Sequence, residues 1–260
     1  MAPVTVDGIP AAVLARRWGV PACAAFESLP SVLDVIHELG AQQAAAGTVV
    51  LANEQTAGRG RDGRTWRSPL GGVWLAMLVR PPFPDAGLLS LRAGLVVADV
   101  IDELLGRAQA ALKWPNDVLL DGRKLAGILC EARWQGDVPQ WLALGIGINV
   151  ANEIPPEIAQ QAIALHELLP CVRRVDVLDR LIPGLRPIAA HRSPLTESER
   201  DAFKRRDWLR GRRIRAPLVG RAAGIRPDGA LVVETDAGPR VVREGHVELA
   251  PQSPSPSPNP

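Results

Sequence analysis

The chain has 260 residues, 47% of them apolar, and a formal net charge of +2. That is enough apolar material for one medium domain and a small second one, and the near-neutral balance excludes a global field that would gather polyanions. No apolar run approaches the roughly 20 residues of a membrane-spanning helix.

Residues 1–21 read as a loosely patterned lead, without the charged and apolar regions of a signal peptide. Ser31, after Pro30, is a natural N-cap for an amphipathic helix over "SVLDVIHELGAQQAAAG", with Gly40 or Gly47 near its end. "TVVLAN" reads as a short buried strand. A loop rich in glycine and arginine follows, from Gln55 to Gly72, and then "VWLAMLV" is a second strand, closed by "RPPFPDAG". "LLSLRAGLVVADVIDELLG" carries helical spacing. "AALKWPNDVLL" and "KLAGILCEARW" flank Asp121-Gly122, a pair that marks a tight hairpin between apolar runs. "QWLALGIGINV" is a further strand. Strands joined by short turns predict an α+β fold, a mainly antiparallel sheet with its helices gathered on one face. From Glu153 to Trp208 the pattern is more helical and more polar. Residues 206–250 break into short apolar runs at Pro227-Asp228-Gly229 and Asp236-Ala237-Gly238 and read as a small all-β barrel after a main domain over 22–205. The tail 251–260, "PQSPSPSPNP", is of low complexity and is expected to be disordered.

Cys23, Cys130 and Cys171 lie far apart and form no C-x-x-C, which points to a reduced, cytoplasmic interior rather than a disulfide framework. Of the 30 basic residues only three are lysines, Lys113, Lys124 and Lys204. The plain reading of the imbalance as a whole is codon bias. In such a chain a lysine still tends to mark a place where a compact ammonium on a flexible stem is needed.

Three motifs carry chemistry. In "GRGRDGRTWRSP" glycines let backbone N–H groups approach an anion, and arginines offer planar forks to carboxylate or phosphate. The pattern is not G-x-x-x-x-G-K-[ST], so a Walker-type loop is excluded. By itself the stretch is equally a solvated surface loop. In "KWPNDV", Pro115 restricts the backbone ahead of Asn116 and Asp117, which taken alone make an ordinary turn. "RKLAGIL" puts Lys124 at the start of the strand after the hairpin, where a solvated lysine is the plain alternative. The histidines, His37, His166, His191 and His246, show no metal-ligand spacing. "KRRDWLRGRRIR", Lys204 to Arg215, reads as a solvated face between two domains, with a docking surface for an acidic carrier domain or for phosphates as the alternative; no aromatic interleaving beyond Trp208 supports nucleic acid.

Together, "GRGRDGRTWRSP", "KWPNDV", "RKLAGIL" and "GIGINV", in this order and spacing, resemble the biotin protein ligases, also called biotin–[acetyl-CoA-carboxylase] ligases. The resemblance is close from Ala22 to Val150 and weaker in the β-rich C-terminal segment, where the family carries an SH3-like domain. It implies a fold like the class II aminoacyl-tRNA synthetase core. It also implies a two-step reaction: biotin and ATP give biotinyl-5′-AMP and pyrophosphate, then a lysine of a carboxyl-carrier domain takes the biotinyl group. Mg²⁺ would arrive with ATP. By resemblance Lys124, Arg59 and Asp117 are the catalytic set. Ser31, Gln55, Arg59, Gly60, Arg61, Lys124 and Gly127 would bind biotin. Arg59, Trp66, Lys113, Asn116 and Asn149 would bind ATP. Gly127, Gly145 and Gly147 would keep the sheet floor open to ligand. The same resemblance implies no nucleic-acid or membrane partner and leaves a homodimer open.

Two departures stand out. The family's Ser-Thr-Asn triplet falls on Ser31, Val32 and Leu33, so two polar contacts to the biotin head are missing, worth roughly 1–3 kcal/mol each if nothing replaces them. The short lead cannot hold the winged helix-turn-helix that some relatives use to bind DNA. The rival expectations are a lipoate or octanoate ligase or transferase of the same fold, and a non-catalytic sensor of biotin or adenylate.

Overall fold

The computed structural model describes residues 4–82 and 85–251; most of the Pro/Ser tail, 252–260, lies outside the described residues. The lead is built into the body. A short hairpin of β1 (Thr5–Val6) and β2 (Ile9–Pro10) turns on Asp7 and Gly8, both at positive φ, and runs into α1 (Ala11–Trp18). Leu14 and Trp18 of α1 are buried in the main core, and the Trp18 indole donates to Asp179 Oδ1 at 2.8 Å.

The central sheet has seven strands. These are β3 (Cys23–Leu29), β4 (Val49–Gln55), β5 (Val73–Val79), β6 (Ala111–Lys113), β7 (Asp117–Leu120), β8 (Arg123–Gln135) and β9 (Val138–Ile148), in the order β3-β4-β5-β9-β8-β7-β6. All pairs are antiparallel except β3 with β4. β3 is an edge strand with little alternation, and α2 (Val32–Ala41) carries the chain from it to its parallel neighbour. Ser31 caps α2 as expected, accepting from Leu33 N at 3.3 Å. Asp121 and Gly122 both take positive φ, 51° and 74°, and make the tight β7–β8 turn.

The helices do not gather on one face. α1, α3 (Ala86–Leu105) and α4 (Arg174–Ile188) pack with Leu51, Leu75, Leu144 and Ile146, while α2 lies on the opposite face against Val50, Ala76, Leu78 and Ala143. The reason is in the strands: β5 is buried at every position, so both faces must be covered. α5 (Glu197–Arg206) leads to a second sheet of β10 (Arg213–Ala216), β11 (Gly220–Ile225), β12 (Leu231–Thr235), β13 (Gly238–Val242) and β14 (Glu248–Leu249). Its order is β13-β12-β11-β10-β14, all antiparallel. The hydrogen-bonded order has two ends, so the expected barrel is here an open five-stranded sheet. Its inner residues, Ile214, Leu231 and Val233 among them, join the main core cluster.

Candidate functional site

The site lies on the α2 face of the central sheet. Three glycines make its floor. Gly127 and Gly147 sit opposite each other on β8 and β9, with Trp74 of β5 next in that row; Gly145 lies in the neighbouring row. A row without side chains leaves a trough in an otherwise packed face. Two side chains rest on this floor, which still borders the cleft. A Cβ at Gly147 would lie 2.5 Å from Trp66 Nε1, one at Gly127 would lie 3.0 Å from Trp66 Cζ3, and one at Gly145 would lie 3.0 Å from Leu33 Cδ2. Trp66 and Leu33 therefore lie on the glycines, because apolar side chains bury their surface against bare backbone where space allows. The Trp66 indole N–H is buried there without a hydrogen-bond partner, and the ring meets Trp74 edge-on at 6.5 Å.

Lys124 reaches this face through a bulge. Opposite Val118 and Leu119 of β7 stand Ala126 and Lys124, so Leu125 is the extra residue. The shift turns Leu125 and Ala126 into the main core and brings Lys124 round to the side of Gly127, whose added Cβ would lie 3.5 Å from Lys124 Cε. Lys124 Nζ pairs with Asp117 Oδ1 at 2.7 Å and stands 5.0 Å from the centre of the Trp66 ring. Its backbone is clamped by residues after β9: Lys124 N donates to Gln161 O, and Ile163 N donates to Lys124 O.

Asn116 lines the cleft, but its amide donates to Ile128 O at 2.9 Å, so part of its work is to tie the turn to β8. The preceding Trp114–Pro115 peptide is cis. Lys113 lies on the same side, its pKa pulled below the ordinary lysine value by burial, with Asp117 opposing and Lys124 adding to the effect.

The glycine-arginine loop folds back on itself. Trp66 N donates to Gly58 O, Gly60 N donates to Arg64 O, and Arg59 bridges Thr65. Gly58 is obligatory, since a Cβ there would meet Trp66 O at 2.4 Å. Gln55, at the end of β4, splits its amide: Oε1 accepts from Val32 N at 2.8 Å and Nε2 donates to Ser68 Oγ at 2.7 Å.

Two cavities meet here. Ser31, Val32, Gln55, Arg59, Gly60 and Arg61 line the first, together with the glycine floor. Asn149 lines the second, with Asn152 and Trp208. Trp66, Lys113, Asp117 and Lys124 border both. Of the residues expected to bind ATP, Arg59 and Asn116 thus stand in the first cavity only. Asn149 is buried, and its Oδ1 accepts from Asn152 Nδ2 at 3.2 Å.

Some residues at the site carried no sequence signal. His246 of the C-terminal sheet borders both cavities and lies 3.3 Å from Arg64; burial, with Arg64 and Lys113 nearby, lowers its pKa. Trp208 packs between Arg212, 4.1 Å from its ring, and Lys113, 5.7 Å away. Burial pushes the Cys130 thiol up to about 12, which keeps it in the thiol form at neutral pH. Among the described residues no group of three His, Cys, Asp or Glu is placed to hold a metal ion, and no helix is long and apolar enough to cross a membrane.

Residues 26–149 match the Biotin/lipoate A/B protein ligase family. The biotin–[acetyl-CoA-carboxylase] ligase of Paracoccus denitrificans is 34% identical over 220 residues, 76% of this chain and 88% of that protein. The bifunctional ligase/repressor BirA of Bacillus subtilis is 34% identical over 241 residues, 85% of this chain and 72% of that protein. Among solved structures, the biotin protein ligase from Aquifex aeolicus in complex with biotin and ATP superposes with a TM-score of 0.73 at 26% identity, covering 88% of this chain and 99% of that one. With these likenesses over most of its length, the chain belongs to the biotin/lipoate A/B protein ligase family, among its biotin protein ligases.

Proposed function

We propose that this chain activates biotin with ATP and transfers it to a lysine of a carboxyl-carrier domain. The observation that carries the reading is Lys124, an ammonium on the shared border of two cavities. One cavity is floored by glycines and walled by Val32 and Leu33, which suits the ring and chain of biotin. The other, with Trp66, Lys113 and Asn149, suits the nucleotide. In the first step a biotin carboxylate oxygen attacks the α-phosphorus, and pyrophosphate leaves. In the second the carrier amine attacks the acyl carbonyl, the acyl–oxygen bond breaks, and AMP leaves with its electron pair.

The roles follow from the chemistry. Lys124 stabilises the charge that builds between carboxylate and phosphate, and Lys113 adds a second cation. Asp117 holds Lys124 until substrate arrives and faces the incoming amine. Arg59, Gly60 and Arg61 enclose the acyl-adenylate and exclude water that would hydrolyse it. Ser31 and Gln55 supply hydrogen bonds at the inner end. Mg²⁺ enters with the triphosphate. The C-terminal sheet corresponds in this reading to the family's SH3-like module, following a catalytic domain over 22–205, and the reduced cysteines suit a cytoplasmic enzyme.

Exchange of labelled pyrophosphate into ATP is the test. Exchange that depends on added biotin is expected; exchange with lipoate or octanoate but not biotin, or none with any acid, sinks the reading.

A further inference from the structure

On the outer side of the loop a chain of four side chains runs from the sheet to Arg59. The Trp141 indole N–H donates to His37 Nδ1 at 2.9 Å. His37 Nε2 lies 2.9 Å from Glu131 Oε2. Glu131 Oε1 lies 3.5 Å from Arg59 Nε, and Asp34 Oδ1 lies 2.6 Å from Arg59 Nη1. Arg133 approaches Glu131 Oε2 from the solvent side at 3.8 Å. The elements joined are β9, α2, β8 and the loop, and successive members, from Trp141 to His37 to Glu131 to Arg59, are 72 to 104 residues apart in sequence.

The direction of each bond is fixed. An indole N–H can only donate, so His37 Nδ1 accepts, and the ring proton sits on Nε2, where it donates to Glu131. The carboxylate thereby keeps one oxygen for the imidazole and the other for the guanidinium. Glu131 is only partly exposed, and the His37 hydrogen bond, against the opposing effect of burial and with help from Arg59, holds its carboxyl below the usual range. Arg59 is gripped by Asp34 and Glu131 at Nη1 and Nε, which leaves the Nη2 edge for the cleft that this residue lines.

We infer that Trp141, His37 and Glu131 form a positioning relay that sets the orientation of Arg59 toward the acid substrate. The inference rests on the proposed adenylation. A flexible arginine on a glycine-flanked loop would otherwise lose rotamer freedom at the moment of binding. A relay anchored in two strands and a helix removes that freedom beforehand.

Glu131→Gln is the sharpest probe. A glutamine has the same shape but one acceptor oxygen, so it cannot accept from both His37 Nε2–H and Arg59 Nε–H. Trp141→Phe keeps the aromatic wall and removes the donor that fixes the histidine tautomer. Pyrophosphate exchange gives kcat and KM for biotin and ATP, with the melting temperature measured alongside. Glu131→Gln is expected to raise KM for biotin about tenfold with KM for ATP and melting temperature little changed. Trp141→Phe is expected to shift KM for biotin the same way by less, and Glu131→Asp to recover part of the loss. In an Arg59→Ala background Glu131→Gln should add no further loss, since it acts through that arginine. Wild-type parameters in Glu131→Gln, an additive loss in the double variant, or losses that track melting temperature alone would overturn the relay. A wild-type enzyme without biotin-dependent exchange would overturn the proposed function instead.

Discussion

Lys124 is one of three lysines in a chain that otherwise uses arginine for its positive charge. Its ammonium reaches Asp117 at 2.7 Å beside the Trp66 ring, in a corner where two cavities meet. A guanidinium is wider, planar and demands a two-pronged partner, so the same charge cannot take the same place. Lys124→Arg is expected to lower pyrophosphate exchange at saturating biotin about a hundredfold, a loss of roughly 3 kcal/mol in transition-state stabilisation. Retention of more than half the wild-type rate would return this residue to an ordinary hairpin lysine. The sequence pointed to Lys124 through its motif. The bulge at Leu125, which turns it to the right face, follows from pairing with β7 and is invisible in the string.

At the scale of elements, the glycine floor and the buried side of α3 give two tests. Gly147 faces the indole of Trp66 so closely that any Cβ must lift the ring. Gly147→Ala should therefore raise KM for ATP by an order of magnitude while leaving the ladder between β5, β8 and β9 intact, as far-ultraviolet dichroism would report. An unchanged KM would show that the seat of this ring does not matter to the nucleotide. On the other face of the sheet, Arg92 of α3 is 1% exposed. It gives Nε to Glu199 Oε1 at 2.6 Å and its other N–H groups to His191 O, Ser193 O and Pro194 O. Arg92→Met removes one partner of a buried pair and leaves three carbonyls to find water, which should cost about 3 kcal/mol in urea unfolding. A loss under 1 kcal/mol would mean that solvent replaces the guanidinium readily. Nothing in the helical pattern around Arg92 marks it, because its partners lie about a hundred residues further on.

For the molecule as a whole, the two sheets meet at a hydrogen-bonded junction. Trp208 N donates to Leu112 O, and Trp114 Nε1 donates to Gly229 O, so each sheet holds the other. Asp207 sits at this junction with Oδ2 buried and unpartnered, while Oδ1 accepts from Leu209 N at 3.0 Å. Burial raises its pKa above the ordinary carboxylate value, although backbone N–H groups oppose the shift. A raised acid binds its proton more tightly in the folded state than in the unfolded one, so it costs stability at neutral pH and the cost fades as pH falls through the raised value. Asp207→Asn should raise the melting temperature at pH 7, and the advantage should shrink toward pH 4. A lower melting temperature at both values would show that the charge is structurally required.

The sequence by itself determined the chemistry and the local order of the chain. Glycine-arginine loop, proline-fixed turn, hairpin lysine and glycine strand are short-range patterns, and Ser31 and the Asp121–Gly122 turn act within a few residues of themselves. Pairing and packing decided the rest. The parallel placement of β3, the burial of the lead through Leu14 and Trp18, and the spread of helices over both faces depend on which apolar surface finds which partner. The closing of Trp66 over the floor and the joining of Arg59 to Glu131, His37 and Trp141 likewise need strands far apart in the chain to lie side by side. Periodicity records that a side is apolar or that a charge is present; only the three-dimensional neighbours supply the energy that says where it goes.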